Sequence, residues 1–164
     1  MLMIIFGAGA SYDNDRRWGN GVGPPRIPLS NEIIDSQLPY TQQASNRWPA
    51  VMPLLNRLNS LKSNPGFNIE EALYLEYLRD KDEIKGQLLA FRYYVHDVIR
   101  MCEQEVRKAN VGFTNYAVLL DMVQSADIDS RMGLALVTFN YDTLLDWACE
   151  QVYPTWKCNE FEDY

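Results

Sequence analysis

The fold is decided near the N-terminus by the stretch LMIIFGAGAS, residues 2–11. Five apolar residues in succession, residues 2–6, predict a strand that is buried on both faces, as the strands of a parallel sheet are. Gly7 and Gly9 follow directly and predict a tight turn, because glycine adopts backbone conformations that other residues avoid. The stretch therefore indicates an α/β fold whose parallel sheet begins with this strand.

A second apolar run, GLALVTF at residues 133–139, predicts another buried strand. Asn140 and Asp142 come directly after it, and a helical pattern follows them. Open α/β sheets bind ligands at the carboxyl ends of their strands, so we expect both polar side chains to line a site. The alternative is that either residue is the N-cap of the following helix, a position that requires only a short polar side chain.

The segment between the two strands has helical periodicity. Its clearest element is a long helix with one apolar stripe: Ile84, Leu88, Phe91, Val95, Val98, Cys102 and Val106. Asn68 is expected to begin an earlier helix, whose apolar side is expected to contain these residues: Leu73, Leu75 and Leu78. We also expect a short helix capped by Ser30 and ended by Pro39, and a helix over residues 114–125.

These elements predict one domain over residues 1–164, a Rossmann-like parallel sheet with a large helical insertion at residues 48–130. Only two strands are convincing, whereas parallel sheets of this kind have about five or six. We therefore expect the fold to be truncated at its C-terminal end.

The composition excludes several functional classes. The 164 residues carry 15 Lys and Arg against 22 Asp and Glu, a formal charge of −7, which disfavours binding to nucleic acid or to an anionic membrane surface. No apolar run reaches about 18 residues, and the opening residues are too short for a secretory signal. Cys102, Cys149 and Cys158 are widely spaced, as reduced thiols are. We expect a cytoplasmic protein.

The glycine turn also suits phosphate binding, because a backbone without side chains can approach a pyrophosphate closely. The dinucleotide pattern G-x-G-x-x-G is incomplete, since its sixth position is Tyr12. A turn that only joins a strand to a helix is an equally good interpretation of these residues alone.

Four segments taken together resemble, in the same order, the prokaryotic sirtuin-like NAD-hydrolase domain. They are residues 7–11 (GAGAS), 24–32 (PPRIPLSNE), 69–71 (IEE) and 137–146 (VTFNYDTLLD). The resemblance spans nearly the whole chain, and its first and last segments are the specific ones. It implies a Rossmann-like domain that cleaves NAD, as its substrate, to nicotinamide and ADP-ribose.

The resemblance also implies roles for individual residues. It assigns NAD binding to the following set: Gly7, Ala8, Gly9, Ala10, Ser11, Pro28 and Asp142. Within this set the glycine segment would hold the pyrophosphate, and Asp142 would belong to the nicotinamide pocket. Asn140 would be the catalytic residue, acting at the ribose carbon that loses nicotinamide.

Two departures from the wider sirtuin pattern bear on the activity. Sirtuin deacylases carry a zinc module of paired C-x-x-C motifs, which this chain lacks, so we expect NAD cleavage without a metal. The family also has a histidine some tens of residues after the asparagine. None follows Asn140, and His96 fits the flank of a helix. We therefore expect these residues to be the N-terminal part of a longer protein.

The resemblance further implies an effector of bacterial antiphage defence that a sensor domain, a partner protein or homo-oligomerisation switches on. A second hypothesis is a catalytically silent nucleotide-binding or assembly module that keeps the glycine turn without the histidine. A nicotinamide-dependent oxidoreductase is a weaker third hypothesis, because no acidic residue at a strand end follows the glycines at about 20 residues.

Overall fold

The structure is a computed structural model that describes residues 1–12, 26–35, 38–79, 82, 84–110, 114–127, 131–153 and 155. The chain divides into two compact units. The first contains Met1–Ile27 and Glu103–Tyr164, and the second contains Pro28–Cys102. The predictions of a single domain and of an insertion at residues 48–130 stay predictions.

The first unit contains a parallel pair of strands, β1 (Leu2–Phe6) and β2 (Leu134–Thr138). The register pairs Leu2 with Leu134 and Phe6 with Thr138. Because the strands are parallel, their carboxyl ends meet at one edge, and the residues that follow them lie side by side. The chain is mostly helical with this α/β-like strand pair, in agreement with the predicted class, while the Rossmann arrangement stays a prediction.

The prediction that β1 is buried on both faces is wrong. Met3 and Ile5 are 53% and 61% exposed, whereas Phe6 is buried. Successive strand residues point to opposite faces, so one face of β1 is exposed. The residues of β2 are all half-buried. Burial on both sides requires a packed layer on each, and the described residues cover only the face that carries Phe6.

The first unit also contains α1 (Ala8–Tyr12), α7 (Asn115–Ser125) and α8 (Leu144–Val152). Here α7 packs against α8 through a shared apolar core: Leu120, Val123, Leu144 and Ala148. The predicted helix over residues 114–125 is confirmed. Thr114 is its N-cap, and the Thr114 hydroxyl accepts a hydrogen bond from the Ala117 amide at 3.1 Å.

The second unit is helical in its described residues. Its elements are α2 (Ser30–Ile33), α3 (Pro39–Arg47), a 3₁₀ turn (Pro49–Val51), α4 (Met52–Leu61), α5 (Ile69–Arg79) and most of α6 (Ile84–Asn110). The predicted stripe of α6 is confirmed, since its members are buried or half-buried along the helix. Within the described residues, no helix combines the length and the hydropathy needed to cross a membrane.

Two predicted helix boundaries are wrong. Ser30 lies inside α2, where Leu29 holds the N-cap position. Pro39 begins α3 instead of ending the preceding helix. Proline is well tolerated in the first helical turn, because the amide that it lacks would have no partner within the helix there.

The predicted start of α5 at Asn68 is confirmed, but the predicted buried side of this helix is wrong. Asn68 Oδ1 accepts hydrogen bonds from the amides of Glu70 and Glu71 at 2.9 and 3.0 Å. Leu75 and Leu78, however, are 57% and 47% exposed. The helix instead buries Ile69, Ala72 and Glu76.

Glu76 is buried because two arginines neutralise its carboxylate. Arg57 Nε lies 2.6 Å from Glu76 Oε2, and Arg79 Nη2 lies 2.9 Å from the same oxygen. A buried carboxylate is tolerated only when it is paired and hydrogen-bonded. This ion-pair cluster sets the rotation of α5 against the apolar pattern of its sequence.

Replacing Glu76 with Ala is expected to lower the free energy of unfolding by about 2 kcal/mol, because two charge-assisted hydrogen bonds are lost. Urea denaturation measures the change. Glu70→Ala is the matched control, since Glu70 is exposed on the same helix, and it is expected to cost less than about 1 kcal/mol. Equal losses in the two variants would show that the cluster does not set the orientation of α5.

Candidate functional site

Four polar side chains meet at the carboxyl edge of the parallel strand pair. Ser11 lies on α1, just after β1, and Asn140 and Asp142 lie on the loop after β2. Tyr116 enters from α7, where its ring meets that of Phe6 edge-on at 5.0 Å. The structure thus brings together Ser11, Asn140 and Asp142, three of the residues singled out in the sequence.

Hydrogen bonds join these side chains into one cluster. Asn140 Nδ2 donates to Ser11 Oγ at 2.8 Å and to Tyr116 Oη at 3.0 Å. The hydroxyl groups of Ser11 and Tyr116 are 2.8 Å apart. The Ser11 hydroxyl also lies near the carboxyl group of Asp142, where it acts to lower the pKa of that group. Ser11 is therefore the centre of the cluster, and it is 1% exposed.

The chemistry of the amide fixes the direction of the hydrogen bonds to Asn140. Its nitrogen can only donate, so Ser11 Oγ and Tyr116 Oη both accept from it. The proton between the two hydroxyl groups can come from either of them. The nitrogen end of the Asn140 amide is thereby held by two acceptors within the protein.

The amide oxygen of Asn140, unlike its nitrogen, makes no hydrogen bond within the cluster. Asn140 Oδ1 is buried and has no hydrogen-bond partner among the described residues. A buried polar atom without a partner costs about 1–3 kcal/mol, and such atoms in native proteins call for an explanation. The atom can accept a hydrogen bond from a hydroxyl group or a water molecule that enters the site.

Asp142 lies in a less polar setting than an ordinary surface aspartate. Burial is the main cause that raises its pKa above 3.8, and the charge of Glu103 raises it further. Hydrogen bonds from Ser11 and from the Leu144 amide act in the opposite direction without cancelling the shift. Asp142 Oδ1 accepts from that amide at 3.1 Å, so the residue also stabilises the start of α8. The N-cap position itself belongs to Thr143, so the alternative that Asn140 or Asp142 is the N-cap is wrong.

A second polar network anchors the loop that carries Asn140 and Asp142. Arg107 Nη2 donates to Glu103 Oε1 and to Thr143 Oγ1, each at 2.6 Å, and Thr143 also donates to Glu103. The guanidinium group of Arg107 lies 5.3 Å from the centre of the Trp147 ring, within the range of a cation–π contact. This network ties the loop after β2 to the end of α6.

The glycine segment lies beside the cluster at the same sheet edge. Gly7 and Gly9 are exposed, and a Cβ atom added to either would meet no described atom within 4 Å. Packing against the described residues therefore does not require glycine at these positions, and no described atom fills the space next to the backbone. Ala8 belongs to α1, and the Ala10 amide donates to the Gly7 carbonyl at 2.9 Å.

The remaining candidates lie elsewhere in the chain. Pro28 is half-buried and belongs to the second unit. His96 is exposed on α6, in agreement with its interpretation as a helix-flank residue. Among the described residues, no group of three His, Cys, Asp or Glu side chains is arranged to hold a metal ion. Cys102 and Cys149 are buried thiols, as predicted, and Cys158 lies outside the described residues.

Sequence reasoning missed Tyr116 and Glu103. Tyr116 is 105 residues from its partner Ser11, and no spacing in the chain connects the two. Its sequence signal is that of an ordinary buried helix residue next to the cap Thr114. Only the packing of α7 against the end of β1 reveals that its hydroxyl belongs to the site.

Comparison with known proteins assigns no relationship. No family model, no curated protein and no solved structure matches this chain.

The raised pKa of Asp142 predicts a specific dependence of stability on pH. The native state holds the proton more tightly than the unfolded state, so the wild type loses stability relative to Asp142→Asn as pH rises from 3.8 through the raised pKa. Each unit of pKa difference corresponds to about 1.4 kcal/mol. Urea denaturation of both proteins between about pH 4 and pH 7 measures the difference. Parallel curves would contradict the burial of an ionisable Asp142.

Proposed function

We propose that this protein hydrolyses NAD to nicotinamide and ADP-ribose, with Asn140 contacting the reacting ribose or water. The observation that carries the proposal is the meeting of Ser11 and Asn140 in one hydrogen-bonded cluster. The two residues are 129 positions apart and come from the two segments in which the resemblance to sirtuin-like NAD hydrolases is most specific. They meet at the sheet edge where α/β folds bind ligands.

The reaction makes modest demands on ionisable groups. The bond between the ribose C1′ atom and the nicotinamide nitrogen breaks, and its electron pair neutralises the pyridinium ring. A water oxygen then bonds to C1′ and releases a proton. Because nicotinamide leaves as a neutral molecule, no general acid is required, unlike in ordinary glycoside hydrolysis. The site must orient the water and stabilise a developing oxocarbenium ion.

The cluster has groups suited to both tasks. Asn140 Oδ1 is an unused acceptor that can orient a water molecule or a ribose hydroxyl. The carboxylate of Asp142 would stabilise positive charge on the ribose and on the nicotinamide ring. Glu103, whose charge raises the pKa of Asp142, is itself paired with Arg107.

The open space beside Gly7 and Gly9 supports the placement of the pyrophosphate there, with Ala8, Ala10 and Ser11 completing the segment. The proposal needs no metal, because the residues that it uses are hydroxyl, amide and carboxyl groups. The proposal includes a role in bacterial antiphage defence, with activation by a sensor domain, a partner protein or homo-oligomerisation. It also includes a cytoplasmic location. These parts of the proposal rest on the resemblance.

The test is to incubate the chain with NAD and quantify nicotinamide and ADP-ribose by chromatography. We expect release of both products by the wild type. Asn140→Ala is expected to lower the rate about hundredfold or more, because the reacting groups lose their orienting contact. The fold of the variant is checked by its thermal unfolding.

Asn56→Ala is the matched control, since Asn56 is an exposed asparagine on α4. It is expected to retain the wild-type rate. Saturable NAD binding without cleavage would favour the alternative of a catalytically silent nucleotide-binding or assembly module. A wild type that neither binds nor cleaves NAD would contradict both.

A further inference from the structure

Tyr116 is a buried residue of α7 whose hydroxyl group lies within the candidate site. Its ring is buried, with 2% of its surface exposed, and packs edge-on against Phe6 at the end of β1. This contact fixes the ring relative to the strand. The hydroxyl group is thereby placed 3.0 Å from Asn140 Nδ2 and 2.8 Å from Ser11 Oγ.

An asparagine carboxamide needs such a partner if one of its two ends is to face a ligand. The torsion that turns the amide group is broad and nearly two-fold, so the oxygen and nitrogen ends exchange places unless hydrogen bonds select one orientation. A single acceptor for one N–H leaves the group free to pivot. Two acceptors at the nitrogen end of Asn140, Ser11 Oγ and Tyr116 Oη, select the orientation of the amide and so fix the direction of Oδ1.

The protonation state of Tyr116 is compatible with this role. Burial is the main cause that raises its pKa above 10.0, and the charge of Asp142 raises it further. The hydroxyl therefore keeps its proton near neutral pH. Its oxygen can accept from Asn140 whichever of the Tyr116 and Ser11 hydroxyl groups donates to the other.

We propose that Tyr116 is a positioning residue that orients the carboxamide of Asn140, so that Oδ1 is presented as a hydrogen-bond acceptor to a hydroxyl group or water of the bound substrate. The orientation follows from the geometry of the cluster. Its use in catalysis rests on the proposed function. Tyr116 itself acts through Asn140 and touches neither the ribose nor the leaving group in this proposal.

The orientation is tested without reference to activity, in the full chain, by the side-chain amide signals of Asn140 in a ¹⁵N–¹H NMR spectrum. These signals are identified by their loss in Asn140→Ala. Tyr116→Phe removes the hydroxyl and keeps the ring against Phe6. We expect the side-chain proton signals of Asn140 to shift and their separation to shrink in this variant, because the amide nitrogen loses one of its two acceptors. Unchanged Asn140 signals would overturn the proposal.

Tyr94→Phe is the matched control. Tyr94 is also a fully buried tyrosine, but its hydroxyl donates to the Ile33 carbonyl in the second unit, at 2.6 Å. The variant tests whether loss of a buried tyrosine hydroxyl alone alters the site. Asn140 signals that shift equally in both variants would overturn a specific role for Tyr116.

The kinetic test is nicotinamide release by the same variants. We expect Tyr116→Phe to lower kcat about tenfold and to change KM by less than about twofold, because one orienting hydrogen bond is lost while the binding contacts remain. Tyr94→Phe is expected to keep kcat. An unchanged kcat for Tyr116→Phe in an active protein would overturn the positioning role. An inactive wild type would count against the proposed function, while the NMR result would still decide the orientation of Asn140.

Discussion

The parallel pairing of β1 with β2 is the constraint on which the site depends. Its register sets Phe6 beside Thr138, so the two following segments leave the sheet at the same edge. Ser11 and Asn140 meet only because of this pairing, and Phe6 also supplies the surface on which the ring of Tyr116 rests. A shift of one residue in register would turn the side chains of β2 to the opposite face.

The buried carboxylates show how the site differs from the structural parts of the molecule. Burial would raise the pKa of Asp97, but hydrogen bonds from Trp48 and Arg47 outweigh it and lower that pKa. Their donor atoms lie 2.8 and 3.0 Å from Asp97 Oδ2. The groups that lower the pKa of Asp142 are one hydroxyl and two backbone amides, with no cation among them, and burial outweighs them. Asp97, whose carboxylate is paired with Arg47, belongs to the second unit. Asp142, whose pKa no cation lowers, belongs to the candidate site.

The hydrogen bonds of the cluster leave one acceptor without a partner. Ser11 Oγ and Tyr116 Oη accept from Asn140, whereas Asn140 Oδ1 is buried and has no partner among the described residues. Buried polar groups that break a local rule in this way are concentrated at functional sites. The open backbone at Gly7 and Gly9 gives the same edge of the sheet room for a ligand.

The sequence by itself determined the two strands, the long stripe of α6, the cap at Asn68, the helix over residues 114–125 and the polar residues at the strand ends, because each is encoded in neighbouring residues. It did not determine which face of α5 is buried, since the pairing of Glu76 with Arg57 and Arg79 overrides the apolar pattern. It also could not show that one face of β1 is exposed, because local hydrophobicity does not say whether a covering layer exists. Tyr116 became part of the site only through tertiary packing, which brings together residues 105 positions apart.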